Sequence, residues 1–247
     1  IYHLQKKHHV GDVEGLLKLM AQLENEVASS DSLATEIAAL ENVISKLENE
    51  LHQGANTLSE ARKGHSTKLS EQLQQLLGKV GIPEAQIQIE IAPAGKFHRL
   101  GTDDIVLLFS ANRGISPKPL AKVASGGEFS RLMFCVKHIL ADKIALPTII
   151  FDEIDTGVSG EVALMMGEMM KFMAKNHQVI SISHLPQIAA RSDHHYFVYK
   201  EVFDVYTFSI VKLLSDDERI LHVAQMIGGN EPSETALKNA QELISHG

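Results

Sequence analysis

Between Val13 and Val80 there is no proline, and Leu, Glu, Gln, Lys and Ala dominate. Those are strong helix formers, and a stretch this long without a breaker leaves few folds open. Apolar residues fall at Leu16, Met20, Leu23 and Val27, then at Leu33, Ile37, Leu40, Ile44, Leu47, Leu51 and Leu58. Steps of four and three mark a heptad seam. The seam changes phase between Val27 and Leu33, which predicts a stutter or a short break, and it resumes at Leu69, Leu73, Leu76 and Val80. Gly54 and Gly64 weaken the later part by about 1 kcal/mol each relative to Ala. Sixty such residues reach about 90 Å as one helix at ~1.5 Å per residue. An apolar stripe of that length needs a partner. The expectation is an extended coiled-coil arm over residues 1–82; a helical hairpin turning near Ser29 to Ser32 is the alternative.

Composition narrows the function. Apolar residues make up 44% of the 247, enough for a core, while aromatics are only 5% and Trp is absent, as in a largely helical chain built on Leu, Ile and Ala. The formal net charge of −8 repels nucleic acid in bulk, so a DNA contact needs a local basic patch or another part of the protein. One cysteine, Cys135, excludes an intramolecular disulfide and a Cys-based zinc site, which fits a reducing compartment. No apolar run approaches the ~20 residues of a membrane span, so no membrane partner is expected. The N-terminus has no signal-peptide pattern, and its first residue is Ile1 rather than Met, which raises the expectation of a longer parent chain.

Gly81-Ile82-Pro83 ends the helical region, and residues 83–247 form the second expected domain. Gln86 to Ile91 alternates with period two and reads as a strand; Asp104 to Phe109 is the next. Asn112-Arg113-Gly114, Pro117 and Pro119 make a loop. Helices are expected at Gly127–Ala141 and Gly160–Lys175, alternating with buried strands at Pro147–Phe151 and Gln178–Ser183. That alternation predicts an α/β fold with parallel strands. An antiparallel pair, His195–Lys200 and Val205–Leu213, and two helices, Asp216–Ile227 and Ser233–Ser245, close the chain.

Three places carry chemistry. Thr148-Ile149-Ile150-Phe151 runs into Asp152-Glu153, and ligand sites lie where parallel strands end. Asp152 can hold Mg²⁺ as a Walker B aspartate does, and Glu153 can orient or deprotonate an attacking water. The plain alternative is a strand that ends in solvated acids. Ser125-Gly126-Gly127-Glu128 precedes a helix; its glycines admit a phosphate to backbone N–H groups, and Ser125 can cap the helix and donate to a phosphate oxygen. An ordinary Ser-capped helix has the same residues. His184, just past the strand Val179 to Ile182, can donate to a γ-phosphate, or serve as a satisfied structural histidine. Each signal is weak alone. Their order is stronger: one helix and one strand separate Ser125 from Asp152, and again Asp152 from His184. Signature motif, Walker B and H-loop of ABC-type ATPases follow one another in this way, and Asp155 falls where the D-loop begins. A P-loop needs G-x-x-x-x-G-K-[ST], and neither Gly78-Lys79-Val80 nor Gly95-Lys96-Phe97 is followed by Ser or Thr.

The runs Leu120 to Arg131, Ile150 to Gly160 and Ser183 to Ala189, with His195 to Val198 and Ala224 to Gly229, closely resemble the RecN family of bacterial DNA repair proteins, which are SMC-like ABC ATPases. Phe129 stands where Leu is usual, an apolar exchange. The resemblance covers the chain from about residue 100 onward, and more loosely Leu4 to His8. It implies the C-terminal lobe of an ABC-type head, whose other lobe carries the P-loop. It also implies head-to-tail pairing with a second copy, ATP and Mg²⁺ as cofactors, DNA as a partner of the intact protein in double-strand-break repair, and a place in the bacterial cytoplasm at the nucleoid. Under it, Ser125, Gly126 and Gly127, with Glu128 beside them, contact the γ-phosphate of ATP on the opposite head, and Asp155, which opens the D-loop, belongs with them to the nucleotide-binding residues. Asp152 coordinates Mg²⁺, Glu153 is the catalytic base and His184 senses the γ-phosphate, these three for their own head.

Other residues are better read as structure. His194 and His195 point to opposite faces of a strand and chelate poorly together. Cys135 reads as a small core residue, and Met165, Met166, Met169, Met170 and Met173 as helix packing, with a pliable interface as the alternative. Lys6-Lys7-His8-His9 reads as a solvated basic turn. The competing functional reading is a structural module of another SMC-family protein, with the arm mediating assembly; it predicts no ATP turnover in a reconstituted head.

Overall fold

A computed structural model describes residues 1–122, 126–141, 143–144, 146–158, 160–204 and 206–245, and for 29–31 and 34 the backbone alone. A short helix α1, Tyr2–His8, is stopped by His9 in the left-handed conformation (φ 54°). Helix α2 then runs unbroken over Val13–Lys79. The backbone stays helical through residues 29–32, so the hairpin alternative is not what forms. Ser and Asp there lower helix propensity without blocking the helix. A β-carbon on Gly54 or Gly64 would meet nothing within 4 Å, so neither glycine serves a close approach. The seam residues Met20, Leu23, Val27, Leu33, Ile37, Leu40, Ile44, Leu47 and Leu51 are all exposed.

After Gly81 (φ 86°) come β1, Gln86–His98, and β2, Gly101–Ser110, neighbours in a sheet whose third strand β3, Lys118–Pro119, pairs antiparallel with β2. β1 extends well beyond the expected Ile91. Pro93 has no N–H to give a ladder, but β1 lies at the sheet edge, where a proline is tolerated. A 3₁₀ turn, Leu120–Lys122, leads toward α3, Gly126–Ala141. Strand β4, Thr148–Asp152, helix α4, Gly160–Ala174, and strand β5, Gln178–Ile182, form a β-α-β unit. β4 and β5 pair in parallel with Thr148 opposite Gln178 and Asp152 opposite Ile182. The short helix α5, Pro186–Ala189, precedes the antiparallel hairpin of β6, Tyr196–Phe203, and β7, Tyr206–Leu213. Helix α6, Asp216–Gly228, starts with a capping box between Ser215 and Glu218, and α7, Glu234–Ser245, follows it. The architecture is α/β.

Two compact units divide the chain. One comprises Ile1–Arg62 and Ala94–Asp103. Within it the tip of the β1–β2 hairpin is fastened to α2: Arg62 Nη1 donates to Asp103 Oδ2 at 2.7 Å, Ser59 Oγ to Asp103 Oδ1 at 2.8 Å, and Arg62 Nη2 to the Leu100 carbonyl at 2.7 Å. His98 turns one ring nitrogen to the Asp103 carbonyl and the other to the Leu100 N–H, and Phe97 meets His52 edge to face.

The other unit comprises Lys63–Pro93 and Asp104–Gly247. Its core joins the end of α2 (Leu73, Leu77) and Val80 to α3 (Leu132, Phe134, Cys135), β4 (Ile149, Phe151) and α4 (Met166, Met170, Met173). The methionines of α4 are thus mostly core, as their spacing on one face requires. Cys135 is fully buried, and desolvation pushes its thiol up to about 12. A smaller cluster packs Ala190 against Val223 and Ala224 of α6 and Ala236 and Ala240 of α7.

Candidate functional site

The site grows from the β-α-β unit. Alternation along β4 buries Ile149 and Phe151 and exposes Thr148, Ile150 and Asp152. Asp152 therefore ends the strand with its carboxylate in solvent, at the edge where both parallel strands terminate. Glu153 is the first residue beyond. Its N–H donates to the Ile182 carbonyl of β5 at 3.1 Å, and its φ of 47° lies in the left-handed region. For a residue with a β-carbon that conformation costs roughly 1–2 kcal/mol and clusters at functional positions. Thr156 Oγ1 closes the turn by donating to the Glu153 carbonyl at 3.0 Å.

Beyond β5, Ser183 and His184 return to the same turn. Asp155 is 1% exposed, and its Oδ2 accepts from Ser183 Oγ at 2.5 Å and lies 3.7 Å from His184 Nδ1. The His184 ring is itself largely exposed. Sequence reading singled out Asp155 and His184 but not Ser183; the polar residue placed between an apolar strand and the histidine was the available signal. Gly126 and Gly127 open α3, and a β-carbon on Gly127 would lie 3.7 Å from the Thr156 carbonyl, which puts the start of α3 beside the 153–157 turn. Glu128 is in the first turn of α3. Ser125 lies outside the described residues.

An open cavity of about 180 Å³ lies between α3 and β4, lined by Phe129, Met133, Lys137, Ile150 and Asp152 among others. Lys137 Nζ stands 5.3 Å over the Phe151 ring. No group of three or more His, Cys, Asp or Glu side chains placed to hold a metal ion occurs among the described residues. A single exposed carboxylate such as Asp152 fits Mg²⁺, which keeps several waters and takes further oxygens from substrate phosphates. No described helix is long and apolar enough to cross a membrane.

No family model matches the chain. Among solved structures, a Smc head domain with a coiled coil and joint from Pyrococcus yayanosii superposes with a TM-score of 0.51 at 17% identity, over 88% of this chain and 44% of that one. The fold is thus that of an SMC-type head portion with a helical arm. Among curated proteins, DNA repair protein RecN of Deinococcus radiodurans is 36% identical over 233 residues, 94% of this chain and 41% of its own length. RecN of Rickettsia felis is 39% identical over 228 residues, 92% of this chain and 40% of its own. This chain belongs to the RecN family. It spans about two fifths of the length of the relatives it matches.

Proposed function

We propose that this chain is the C-terminal lobe of an SMC-like ATPase head acting in recombinational repair of DNA double-strand breaks. Residues 1–82 serve as the returning arm and 83–247 as the head lobe. ATP is hydrolysed at a composite interface between two heads, and the intact protein binds and tethers DNA ends in the bacterial cytoplasm, at the nucleoid. The observation that carries this reading is the edge of the β4–β5 pair. Asp152 and Glu153 leave one strand there, His184 follows the other, and Asp155 with Ser183 ties the two exits together. That the relatives are DNA repair proteins supports the biological role.

Each residue has a task in this scheme. Asp152 holds Mg²⁺, which supplies charge neutralisation at the phosphates. Glu153 accepts the proton of the attacking water, from a left-handed backbone position just past the end of β4. His184 donates to the γ-phosphate. Ser125, Gly126 and Gly127, with Glu128, meet the γ-phosphate of the opposite head, using the N-terminus of α3. A P-loop lobe of the same protein completes the site. In support of such a lobe, Ile150, Ile180 and Ile182 line one exposed face of the parallel pair, whereas parallel sheets are ordinarily covered on both faces.

Glu153→Gln in the full-length protein is expected to keep ATP binding and to lose about 10²–10⁴-fold in turnover. Near wild-type hydrolysis in that variant refutes the assignment. Ser125→Arg is expected to bind ATP without pairing of heads, and nucleotide-dependent dimers that persist would remove its role in trans.

A further inference from the structure

Asp155 is a charged side chain enclosed almost completely, at 1% exposure. A buried carboxylate is unfavourable unless donors surround it. One donor is in place: Ser183 Oγ, 2.5 Å from Oδ2. Because Ser183 Oγ also accepts from the Leu185 N–H at 3.0 Å, its own proton is committed to Asp155. Oδ1 has no hydrogen-bond partner among the described residues. The further donor facing the carboxylate is Nδ1 of His184, at 3.7 Å from Oδ2, on a ring that is otherwise in solvent. A carboxylate on one nitrogen of an imidazole fixes both the ring's orientation and which nitrogen carries the proton.

We propose that Asp155 is a positioning residue for His184: seated by the Ser183 hydroxyl, its carboxylate accepts the Nδ1–H and turns Nε2 outward toward the nucleotide. This rests on the reading of His184 as a nucleotide-facing residue. It assigns Asp155 a task inside its own head, through a neighbour, rather than contact with ATP. It also gives Ser183 a task, to hold the carboxylate on the histidine side of the turn. The 3.7 Å separation then contracts to a hydrogen bond when nucleotide orders the ring.

The test uses the full-length protein, with ATP turnover measured alongside ¹⁵N signals of selectively labelled histidine. Ser183 Oγ and His184 Nδ1 both meet Oδ2, so an amide oxygen seated there keeps the acceptor for Ser183, while Asp155→Asn removes the negative charge that holds the proton on Nδ1. Its kcat is expected to fall about 10–100-fold with KM unchanged, and the Nδ1–H signature of His184, present in the wild type, to be lost. Ser183→Ala is expected to show a smaller fall and Ser183→Thr, which restores a hydroxyl, to recover it. Wild-type kcat in Asp155→Asn overturns the proposal, as does an unprotonated Nδ1 in the wild-type protein. Equal losses in Ser183→Ala and Ser183→Thr overturn it too, and that pair serves if Asp155→Asn does not fold. Glu153→Gln is measured beside them. If it is inactive while Asp155→Asn is active, only the positioning role fails; if it hydrolyses ATP normally, the underlying reading and this one fall together.

Discussion

Arg62→Ala is expected to release the tip of the β1–β2 hairpin from α2. Asp103 keeps only 6% of its side-chain surface, and Arg62 21%. Removing one partner of a buried pair leaves an uncompensated charge, at a cost of about 3–5 kcal/mol. Arg62 retains some contact with water and Ser59 still donates to Asp103, so the lower end applies, about 3 kcal/mol. The Leu100 carbonyl loses its donor in the same change. The assay is a double-mutant cycle of Arg62→Ala and Asp103→Ala, read by hydrogen exchange at the amides of residues 94–103. A local probe is needed because the chain has two compact units and a single unfolding transition is not assured. The two singles should each raise exchange at the hairpin tip, and the double should do little more than either. Replacement of the pair by Arg62→Met with Asp103→Leu should be nearly neutral. A coupling energy within about 0.5 kcal/mol of zero refutes the reasoning, since that is the margin of simple additivity.

Burial of the His195 ring, with His222 and Arg219 near it, holds its pKa down at about 4 against an ordinary 6.5. The unfolded chain therefore takes up the proton first, and stability falls as pH drops from about 6.5 toward 4. The loss should be roughly 1–2 kcal/mol after discounting for a half-buried ring, and His195→Phe should flatten it in urea midpoints at pH 7.5 and 5. Gly167→Ala would put a β-carbon 2.9 Å from Arg191 Cγ and 3.4 Å from the Gln187 carbonyl, and should cost about 1–3 kcal/mol by chemical denaturation. Leu77→Ala, at a site with no exposed surface, should cost about 2–5 kcal/mol, while Leu40→Ala in this chain alone should leave the same midpoint nearly unmoved. The chain by itself is expected to hydrolyse no ATP, and a tight nucleotide complex measured by calorimetry would count against the composite site.

Much of this was legible beforehand, and the exceptions have physical causes. The β4-α4-β5 unit was readable nearly to the residue because short apolar runs lie between glycine and polar boundaries, as at Gly160 and Asn176. The continuity of α2 was not. The phase change after Val27 is a packing signal for a partner, whereas the backbone answers to propensity, and Ser and Asp do not break a helix. β1 runs past Ile91 to His98, beyond the stretch where period-two alternation marks a strand. What sustains the strand there is its edge position and, nearby, a tip fastened to Arg62 and Ser59, contacts made across dozens of residues. Asp152, Glu153 and His184 announced themselves as strand-end residues. The bond from Ser183 to Asp155 spans 28 residues, so the place of Ser183 beside the histidine gave one end of it and not its partner.

The left-handed backbone at Glu153 sets two kinds of selection against each other. A glycine at that position would adopt φ 47° freely, so a library screened for heat resistance alone should drift toward Gly or Asn there. With Glu153 as the base proposed above, a screen for ATP turnover by the full-length protein should hold the carboxylate in place despite the conformational penalty. Position 153 is where an engineered thermostable variant of this lobe would be expected to go silent first.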